Sequence, residues 1–507
     1  MDKFIRKNAW DGNGTFANTD LLWYAKGVGV MQSRTLDDPN SWWFFAAIHG
    51  EYIEDQEFPG WGFIPGPPNV PAKPAPSPSI QDKFWNQCQH QSWYFAPWHR
   101  GYLIALEAQI RAAIISLGGP SDWALPYWNY FGPNNEYMIP PAFMQQALPD
   151  GSANPLFVKA RFGPNSDGNV YIQIPPVAQA CQDNTLYTGS NAATSRPGYG
   201  GPATSFSHSG NISGNLESNP HNLIHVQVGG NPSDTLWGLM SDPGLAALDP
   251  IFYLHHCNID RMWASWNAIG NQNPVDSSWL NGPAATGERQ FAMPMPDGSA
   301  WIYTPAEVTS LSPLDYVYDG LVSAKTPILA NALEQRLNKL GIDTAGLLQG
   351  EHMDTGDQSE LVGANKGRVL VGKSGLRTTI NFDSRAWQAV SESLMAASAR
   401  DIPDKVYLQI ENVKGNVDAH ILAVSVGHQL AGHISLFGLR NASKSDGHDG
   451  GSGLTFILDI TGIIDSLYME NKLAIDSLDV TLLPTNVIHD NQEITVGRIS
   501  IYREQQR

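Results

Sequence analysis

Three cysteines in 507 residues are too few to hold this chain together through disulfides. Cys88, Cys181 and Cys257 form an odd, widely spaced set, which is not typical of a disulfide framework. Basic residues are also scarce, since 31 Lys and Arg face 49 Asp and Glu and the formal net charge is −18. A surface with this charge repels nucleic acid and anionic membranes, so we expect neither as a partner.

Long apolar runs are lacking as well. No stretch approaches the roughly 18 apolar residues that a membrane helix needs, and the N-terminal sequence MDKFIRKN has no signal-peptide pattern. We expect a soluble protein that folds in the cytoplasm, with export alongside a signal-bearing partner left open. A chain of 507 residues is too long for one small core, so two domains are expected.

The character of the sequence changes along the chain. The first part mixes helical patterns with long irregular stretches, among them the proline-rich residues 59–80 and the Gly- and Ser-rich residues 187–220. In the last part, short alternating or β-branched segments separated by Gly, Asn and Asp predict antiparallel strands. We therefore predict one domain over 1–320, a linker over 321–365 and an all-β sandwich over 366–507.

Histidines in the first part form the most informative pattern. His221 and His225 are spaced i, i+4, so on a helix they share a face and can bind one metal ion. A further predicted helix, capped by Asp249, carries His255 and His256. These two side chains point about 100° apart, so one of them is expected at a given metal. The spacing does not decide which one.

Three more histidines precede these in the chain. His90 is expected on a loop, and His99 lies on a helix that Pro97 is predicted to begin. His49 closely follows the aromatic run WWFF at 42–45, which is typical of a buried helix.

Four motifs together resemble, in the right order, the two metal sites of the type-3 copper family, which includes tyrosinases, catechol oxidases (polyphenol oxidases) and molluscan haemocyanins. The motifs are CQH at 88–90, WHR at 98–100, HNLIH at 221–225 and DPIFYLHHCNIDRMW at 249–263. The resemblance covers about residues 1–320. It implies a mainly α catalytic domain, a four-helix bundle with long loops around two copper ions. By this resemblance the ligands are His49, His90 and His99 for the first copper, and His221, His225 and His256 for the second.

The same resemblance gives roles to residues near the metals. Cys88, two positions before His90, is expected to form a thioether with the histidine ring, with a buried thiol as the alternative. Glu217 and Asn222 match residues that hold a water near the second copper, where it can take the proton of a monophenol. The family has a gate above the first copper, and the small residues at 242–247 predict an open entrance there.

Contacts that close the catalytic domain are implied too. Tyr316 and Tyr318 resemble the Tyr-x-Tyr motif at the end of that domain in the family, and Arg6 is expected to pack on it through a cation–π contact. Asp260 and Arg261 are expected to make structural ion pairs.

The C-terminal part resembles the β-domain of plant polyphenol oxidases. In those enzymes this domain keeps the enzyme latent by placing an apolar side chain in the active-site mouth. Leu436, Phe437 and Leu439 are the candidates here, and each is also typical of a strand core. Residues 366–507 contain no cysteine, so the copper-loading Cys-x-x-Cys motif of fungal tyrosinases is missing. The route of copper delivery stays open, with a delivery partner as one alternative.

The resemblance implies a copper-dependent oxidoreductase that uses O2 to hydroxylate monophenols and to oxidise o-diphenols to o-quinones. A catechol oxidase or o-aminophenol oxidase without monophenolase activity is the alternative within the family. A haemocyanin-like oxygen carrier is the alternative from another class. The expected partner is a small phenolic or catecholic substrate, and the oligomeric state is left open.

Overall fold

A computed structural model describes the chain over residues 3–71, 73–189, 197–207, 210–322, 359–396, 403–445, 451–470 and 476–505. The helices of its first part are α1 (Thr19–Gln32), α2 (Trp42–His49), α3 (Pro78–Phe84), α4 (Phe95–Ser116), α5 (Asn222–Gly229), α6 (Pro243–Ala246), α7 (Ile251–Ala268) and α8 (Ser277–Leu280). Among the helices in these ranges, none combines the length and apolar character that spanning a bilayer requires.

The long helix α4 packs against α1 and α7 and forms the centre of the first part. Leu103, Leu106 and Ile110 lie on its buried side, as their spacing predicts. The helix begins at Phe95, so Pro97 lies within its first turn, where a missing N–H costs no hydrogen bond. Gly27 of α1 lets the two helices approach closely, because a Cβ there would lie 2.8 Å from Ile110 Cγ2.

Two small sheets close this part of the molecule. Strand β1 (Phe4–Arg6) pairs in parallel with β4 (Tyr316–Tyr318), and β2 (Phe291–Pro294) pairs antiparallel with β3 (Ala300–Tyr303). The first pairing brings the beginning and the end of the helical part together. It places the guanidinium of Arg6 3.5 Å from the centre of the Tyr316 ring, so the predicted cation–π contact is present.

Buried ion pairs fix this closure to the helices. Arg6 pairs with Glu107 of α4 at 2.8 Å and with Asp260 of α7 at 3.4 Å, and Arg100 pairs with Asp260 at 2.5 Å. The structural ion pair predicted for Asp260 is therefore present. Arg261 instead donates to the Gly320 carbonyl at 2.5 Å, because the carboxylate of Asp260 is already taken by two arginines.

The last part of the chain is an antiparallel sheet. Its strands are β5 (Ser359–Ala364), β6 (Val369–Leu370), β7 (Leu376–Phe382), β8 (Lys405–Gly415), β9 (Ile421–Val426), β10 (Gln429–Ser435), β11 (Leu454–Asp459), β12 (Ser477–Pro484), β13 (Ile494–Val496) and β14 (Arg498–Glu504). They follow the order β10-β9-β12-β7-β5-β14-β8-β13-β6, with β11 paired to β8. Every pairing in this sheet is antiparallel, which confirms the predicted β-domain.

Alternating apolar residues build the core of this sheet. Leu408 and Ile410 of β8 lie opposite Ile501 and Ile499 of β14, and all four are buried. Of the predicted linker 321–365, residues 323–358 lie outside the described residues and residues 359–364 form β5.

The sheet carries helices that an all-β sandwich does not predict. They are α9 (Ser384–Ala396), α10 (Leu439–Ser443) and α11 (Thr461–Met469). In α9, Trp387, Val390 and Leu394 follow the spacing i, i+3, i+7 and enter the core of the domain, which is a helical and not a strand period.

Candidate metal centre

The first histidine cluster joins two helices and a loop. His49 is the last residue of α2, His99 lies near the start of α4, and His90 lies on the loop between α3 and α4. All three side chains are buried, and one ring nitrogen of each lies within 4.8 Å of the others. The structure therefore brings together the three histidines that the sequence assigned to the first copper.

The second cluster forms where α5 and α7 meet. The Nε2 atoms of His221, His225 and His256 are 3.1, 3.2 and 3.4 Å apart. Two nitrogens at about 2.0–2.1 Å from one metal ion with a tetrahedral angle between them are roughly 3.3–3.4 Å apart. The triangle of nitrogens thus already has the size that a metal ion requires.

His255 lies beside this triangle without being part of it. Its ring centre is 5.0 Å from that of His225 and 5.2 Å from that of His221, and a nitrogen of its ring is within 4.8 Å of the other ligand atoms. Neither ring nitrogen of His255 makes a hydrogen bond within the described residues.

The helix α7 begins at Ile251, and Asp249 caps it by accepting the Ile251 N–H at 3.1 Å.

Hydrogen bonds to the outer ring nitrogen orient four of the six histidines. The contacts are His49 Nδ1 to Pro243 O at 2.9 Å, His99 Nδ1 to Phe95 O at 2.8 Å, His221 Nδ1 to Asn222 Oδ1 at 2.7 Å and His225 Nδ1 to Met240 O at 2.8 Å. Because each partner is an oxygen acceptor, the proton sits on Nδ1 and the lone pair of Nε2 points into the cluster.

Burial keeps these imidazoles in the neutral form that binds metal. It lowers the pKa of His99 to about 3 and, together with the neighbouring histidines, lowers the pKa values of His221, His225 and His256 well below the ordinary range. The Nε2 atom of His99 is buried and makes no hydrogen bond with the described residues. A buried lone pair without a donor is costly, and a metal cation satisfies it. The donor set therefore fits a copper pair.

The two clusters face each other directly. The rings of His99 and His256 stack with their centres 4.3 Å apart and their planes 12° apart. Two phenylalanines pack at the flanks, with Phe252 4.2 Å from His256 and Phe95 4.6 Å from His99 between ring centres. The six histidines thus form one compact, apolar-walled site for two metal ions.

Cys88 lies where the predicted thioether requires it. Its Sγ is 3.3 Å from Nδ1 of His90, which is contact distance between the two side chains. The other two cysteines, Cys181 and Cys257, are buried elsewhere, and burial raises the pKa of each thiol to about 12. The thioether itself stays a prediction.

Glu217 lies in a single π-turn, residues 217–221, just before α5. Both of its carboxylate oxygens accept the backbone N–H of Gln91 at 3.0 Å, and burial raises its pKa to about 8. Asn222 donates from Nδ2 to Ser213 Oγ at 3.4 Å, and a side-chain hydrogen bond also joins Ser213 to Glu217. The sequence did not predict that Gln91 and Ser213 would hold Glu217 and Asn222 by hydrogen bonds. Ser213 lies in an irregular segment without any spacing signal.

The C-terminal domain covers the site. The Phe437 ring stacks on His225 with ring centres 4.2 Å apart, and it lies 5.8 Å from both His90 and His221. Phe437 packs in the core of the catalytic domain, whereas Leu436 and Leu439 pack in the core of their own domain.

The expected open entrance at residues 242–247 is wrong for this form of the chain. All six residues are buried: Leu245, Ala246 and Ala247 pack in the core of the catalytic domain, and the C-terminal domain lies against Asp242 and Pro243. A Cβ at Gly438 would lie 4.0 Å from Pro243 Cγ, and Arg440 pairs with Asp242 at 2.7 Å.

Comparison with known proteins agrees with this geometry. The family model for the common central domain of tyrosinase matches residues 39–269, and a domain of unknown function matches residues 358–504. A tyrosinase of Hahella sp. (strain CCB-MM4) is 32% identical over 498 residues, which are 96% of this chain and 97% of that protein. The latent form of a chloroplastic polyphenol oxidase of Prunus armeniaca is 28% identical over 279 residues, 52% of this chain and 41% of that protein.

A solved structure shares the fold over nearly the whole chain. The structure of latent apple tyrosinase superposes with a TM-score of 0.57 at 19% identity, covering 99% of this chain and 98% of that one. The likeness includes both the helical part and the β-domain, so the two parts occur together in a known fold.

Proposed function

Because this chain belongs to the tyrosinase family of type-3 copper enzymes, we propose that it hydroxylates monophenols and oxidises o-diphenols to o-quinones with O2. The copper-oxidase chemistry itself follows from the family and the two histidine clusters. The observation that carries the proposal is the pair of facing, buried histidine triads. The Nε2 atoms of the second triad are 3.1–3.4 Å apart, and one ring nitrogen of each histidine in the first triad lies within 4.8 Å of the others.

The ligands would be His49, His90 and His99 for the first copper, and His221, His225 and His256 for the second. When bound, the copper pair supplies the two-electron oxidation of the phenol by O2. The chain's own contribution is to orient the imidazoles through their Nδ1 hydrogen bonds and to keep water away with a buried aromatic wall.

Glu217 supports the hydroxylase part of the proposal. A monophenol has to lose its proton, and a general base works best when its pKa lies near the working pH. Burial raises the pKa of Glu217 to about 8, and hydrogen bonds link Glu217 through Ser213 to Asn222, which in turn holds His221. A water held by this group would pass the phenol's proton to the Glu217 carboxylate.

Phe437 supports latency of the closed chain. Its ring lies against His225, where the ring of a phenol would have to lie, and it excludes substrate while the C-terminal domain is seated. Cleavage within residues 323–358 would release that domain. The enzyme would then open while all six proposed ligands stay on the catalytic domain.

The test is oxygen uptake by the copper-loaded chain, before and after such cleavage, with a monophenol first and a catechol added later. Uptake with the monophenol is expected after cleavage, and little or none before it. Glu217→Gln keeps the size of the side chain and removes the base, so it should slow monophenol uptake by about 10²–10⁴-fold and leave catechol uptake much less affected. Glu57→Gln, at an exposed position, is the matched control.

The alternatives give different results. Uptake with catechol alone, before and after cleavage, would make this a catechol or o-aminophenol oxidase and refute the role of Glu217. A cleaved, copper-loaded chain that binds O2 reversibly but turns over neither substrate would be an oxygen carrier, which contradicts the proposal.

A further inference from the structure

A buried carboxylate of the catalytic domain takes its positive partner from the other domain. Asp242 is fully buried, and its Oδ2 accepts from Arg440 Nη1 at 2.7 Å. Neutral donors also reach it, among them Trp237 Nε1 at 3.3 Å and the Gly244 N–H at 3.0 Å, and Tyr52 and Asp418 face it as well. A buried carboxylate is costly without a cation, so Asp242 depends on Arg440.

Asp242 begins the turn that orients a ligand of the first copper site. The next residue, Pro243, accepts the Nδ1–H of His49 at 2.9 Å. Asp242 caps α6 behind this carbonyl, and Trp61 Nε1 donates to Gly244 O at 3.0 Å. The fit is close, because a Cβ at Gly50 would lie 3.0 Å from Pro243 O.

We propose that Arg440 is a positioning residue for the first copper site, although it belongs to the C-terminal domain. By neutralising Asp242 it holds the turn in which the Pro243 carbonyl orients His49. The C-terminal domain thereby supports the first copper site while Phe437 covers the second. This inference rests on the proposed function, since it assumes that His49 binds copper.

The other titratable groups around Arg440 do not compete with Asp242 as its anionic partner. Asp418 is buried, and its Oδ1 accepts the backbone N–H of Arg440 at 2.8 Å. Burial and the nearby Asp242 raise the pKa of Asp418 well above its ordinary range, which favours the neutral form of Asp418. Tyr52, whose ring centre is 5.4 Å from the guanidinium, is un-ionised because burial raises its pKa, and the Lys444 ammonium lies 5.4 Å from the same ring.

Removing Arg440 leaves the buried carboxylate of Asp242 without a cationic partner at the domain interface. The turn then has to shift so that water reaches Asp242, and His49 loses its fixed acceptor. Loss of a hydrogen-bond partner behind a metal-bound histidine typically lowers metal affinity by about 10–100-fold. The effect is specific, because His225 and His221 take their Nδ1 partners from Met240 and Asn222.

The test measures the first site alone. In the full-length chain, His225→Ala combined with His255→Ala leaves only His221 and His256 in the second cluster. The copper that is retained then reports on His49, His90 and His99. Adding Arg440→Gln should raise the Kd for copper by about tenfold or more and change the EPR hyperfine pattern of the bound Cu(II). Arg440→Lys keeps the charge and should largely keep both properties.

Arg503→Gln is the matched control, because the Arg503 side chain is also 16% exposed and pairs with Asp404 inside the C-terminal domain. It should leave Kd and EPR signal unchanged. Combining Asp242→Asn with Arg440→Gln removes the unpaired charge and keeps an oxygen to cap Gly244, so copper affinity should recover.

Two results would overturn the inference. One is Arg440→Gln with the parent's Kd and EPR signal. The other is a loss that Asp242→Asn does not rescue, since Arg440 would then not act through that charge. Failure of the proposed function is separate, because it would show as fewer than two coppers per unaltered chain, or as no phenol oxidation after cleavage.

Discussion

Phe437 stacks on His225 through its side chain alone, so a single substitution can remove the ring and keep the domain. We expect Phe437→Ala to speed catechol oxidation by the uncleaved, copper-loaded chain. Burial of a phenylalanine ring stabilises by about 1.5–3 kcal/mol. This corresponds to roughly a 10–100-fold change in how often the Phe437 ring occupies the active-site entrance. Initial rates at low catechol concentration are the measurement.

Leu436→Ala is the control for this variant, because Leu436 packs in the core of its own domain. It should lower the melting temperature without a comparable gain in rate. If Phe437→Ala is no faster than the unaltered chain, the ring does not block the substrate.

Cys88 and His90 allow a second test at the scale of single residues. Joining Sγ to the histidine ring removes one hydrogen from each group, with O2 as the oxidant. We therefore expect the copper-loaded chain, once exposed to O2 and denatured, to show reactive thiols at Cys181 and Cys257 only. Its intact mass should be lower by two hydrogens, and Cys88→Ser should lose this difference. A third reactive thiol in the unaltered chain would rule out the bond.

Single residues also show where prediction from sequence ends. The histidine ligands could be proposed because the motifs resemble a known family. The structure gathers His49, His90 and His99 in one cluster, and His221, His225 and His256, together with His255, in another. Gln91, Ser213 and Arg440 could not be proposed from the sequence. Gln91 and Arg440 bond to partners more than a hundred residues away, and Ser213 lies in an irregular segment. Spacing along a chain carries no signal for such contacts.

At the scale of elements, β1, β4, α4 and α7 are joined by one buried charge network around Arg6. We expect Arg6→Ala to destabilise the chain by about 3–5 kcal/mol, because Glu107 and Asp260 would keep buried charges with fewer partners. Thermal or urea unfolding measures the loss.

Lys7→Ala is the neighbouring control. Its ion pair with Asp20 is partly exposed, so its removal should cost at most about 1 kcal/mol. Equal effects of the two substitutions would show that the Arg6 network does not hold these elements together.

The elements differ in how far the sequence predicts them. Helices α4 and α7 follow from apolar spacing and from Pro97 and Asp249 near their starts. The strands β8 and β14 follow from alternation. Helix α9 was missed because its short apolar stripe lies among strands, and β5 because its Gly and Ala residues give little strand signal.

At the scale of the whole molecule, we expect Asp418 to make the docking of the C-terminal domain on the catalytic domain depend on pH. Burial and Asp242 raise its pKa well above the ordinary value, which is about 3.9 in an unfolded chain. The stabilisation from this proton is complete when the pH is below the pKa of Asp418 in the unfolded chain. It is lost as the pH rises through the raised pKa of Asp418 in the folded chain. We expect the melting temperature of the full chain to fall over that range.

Asp418→Asn imitates the protonated side chain, because it keeps an oxygen for the Arg440 N–H and adds a donor facing Asp242. Its melting temperature should exceed that of the unaltered chain by a margin that grows with pH. Asp490→Asn, at an exposed ion pair, is the control. Parallel pH profiles for Asp418→Asn and the unaltered chain would contradict this role.

The phenyl ring of Phe437 has the shape of a phenol without its hydroxyl group, and it is carried on the same chain as the site that would bind a phenol. A tethered group competes at an effective concentration that its linker sets, on the order of millimolar for short flexible linkers. Diluting the enzyme therefore does not relieve the block, whereas a sufficiently concentrated or tightly bound phenol does. If Phe437 blocks the site as proposed, the closed chain acts as its own competitive inhibitor, at an effective concentration that the covalent linker sets.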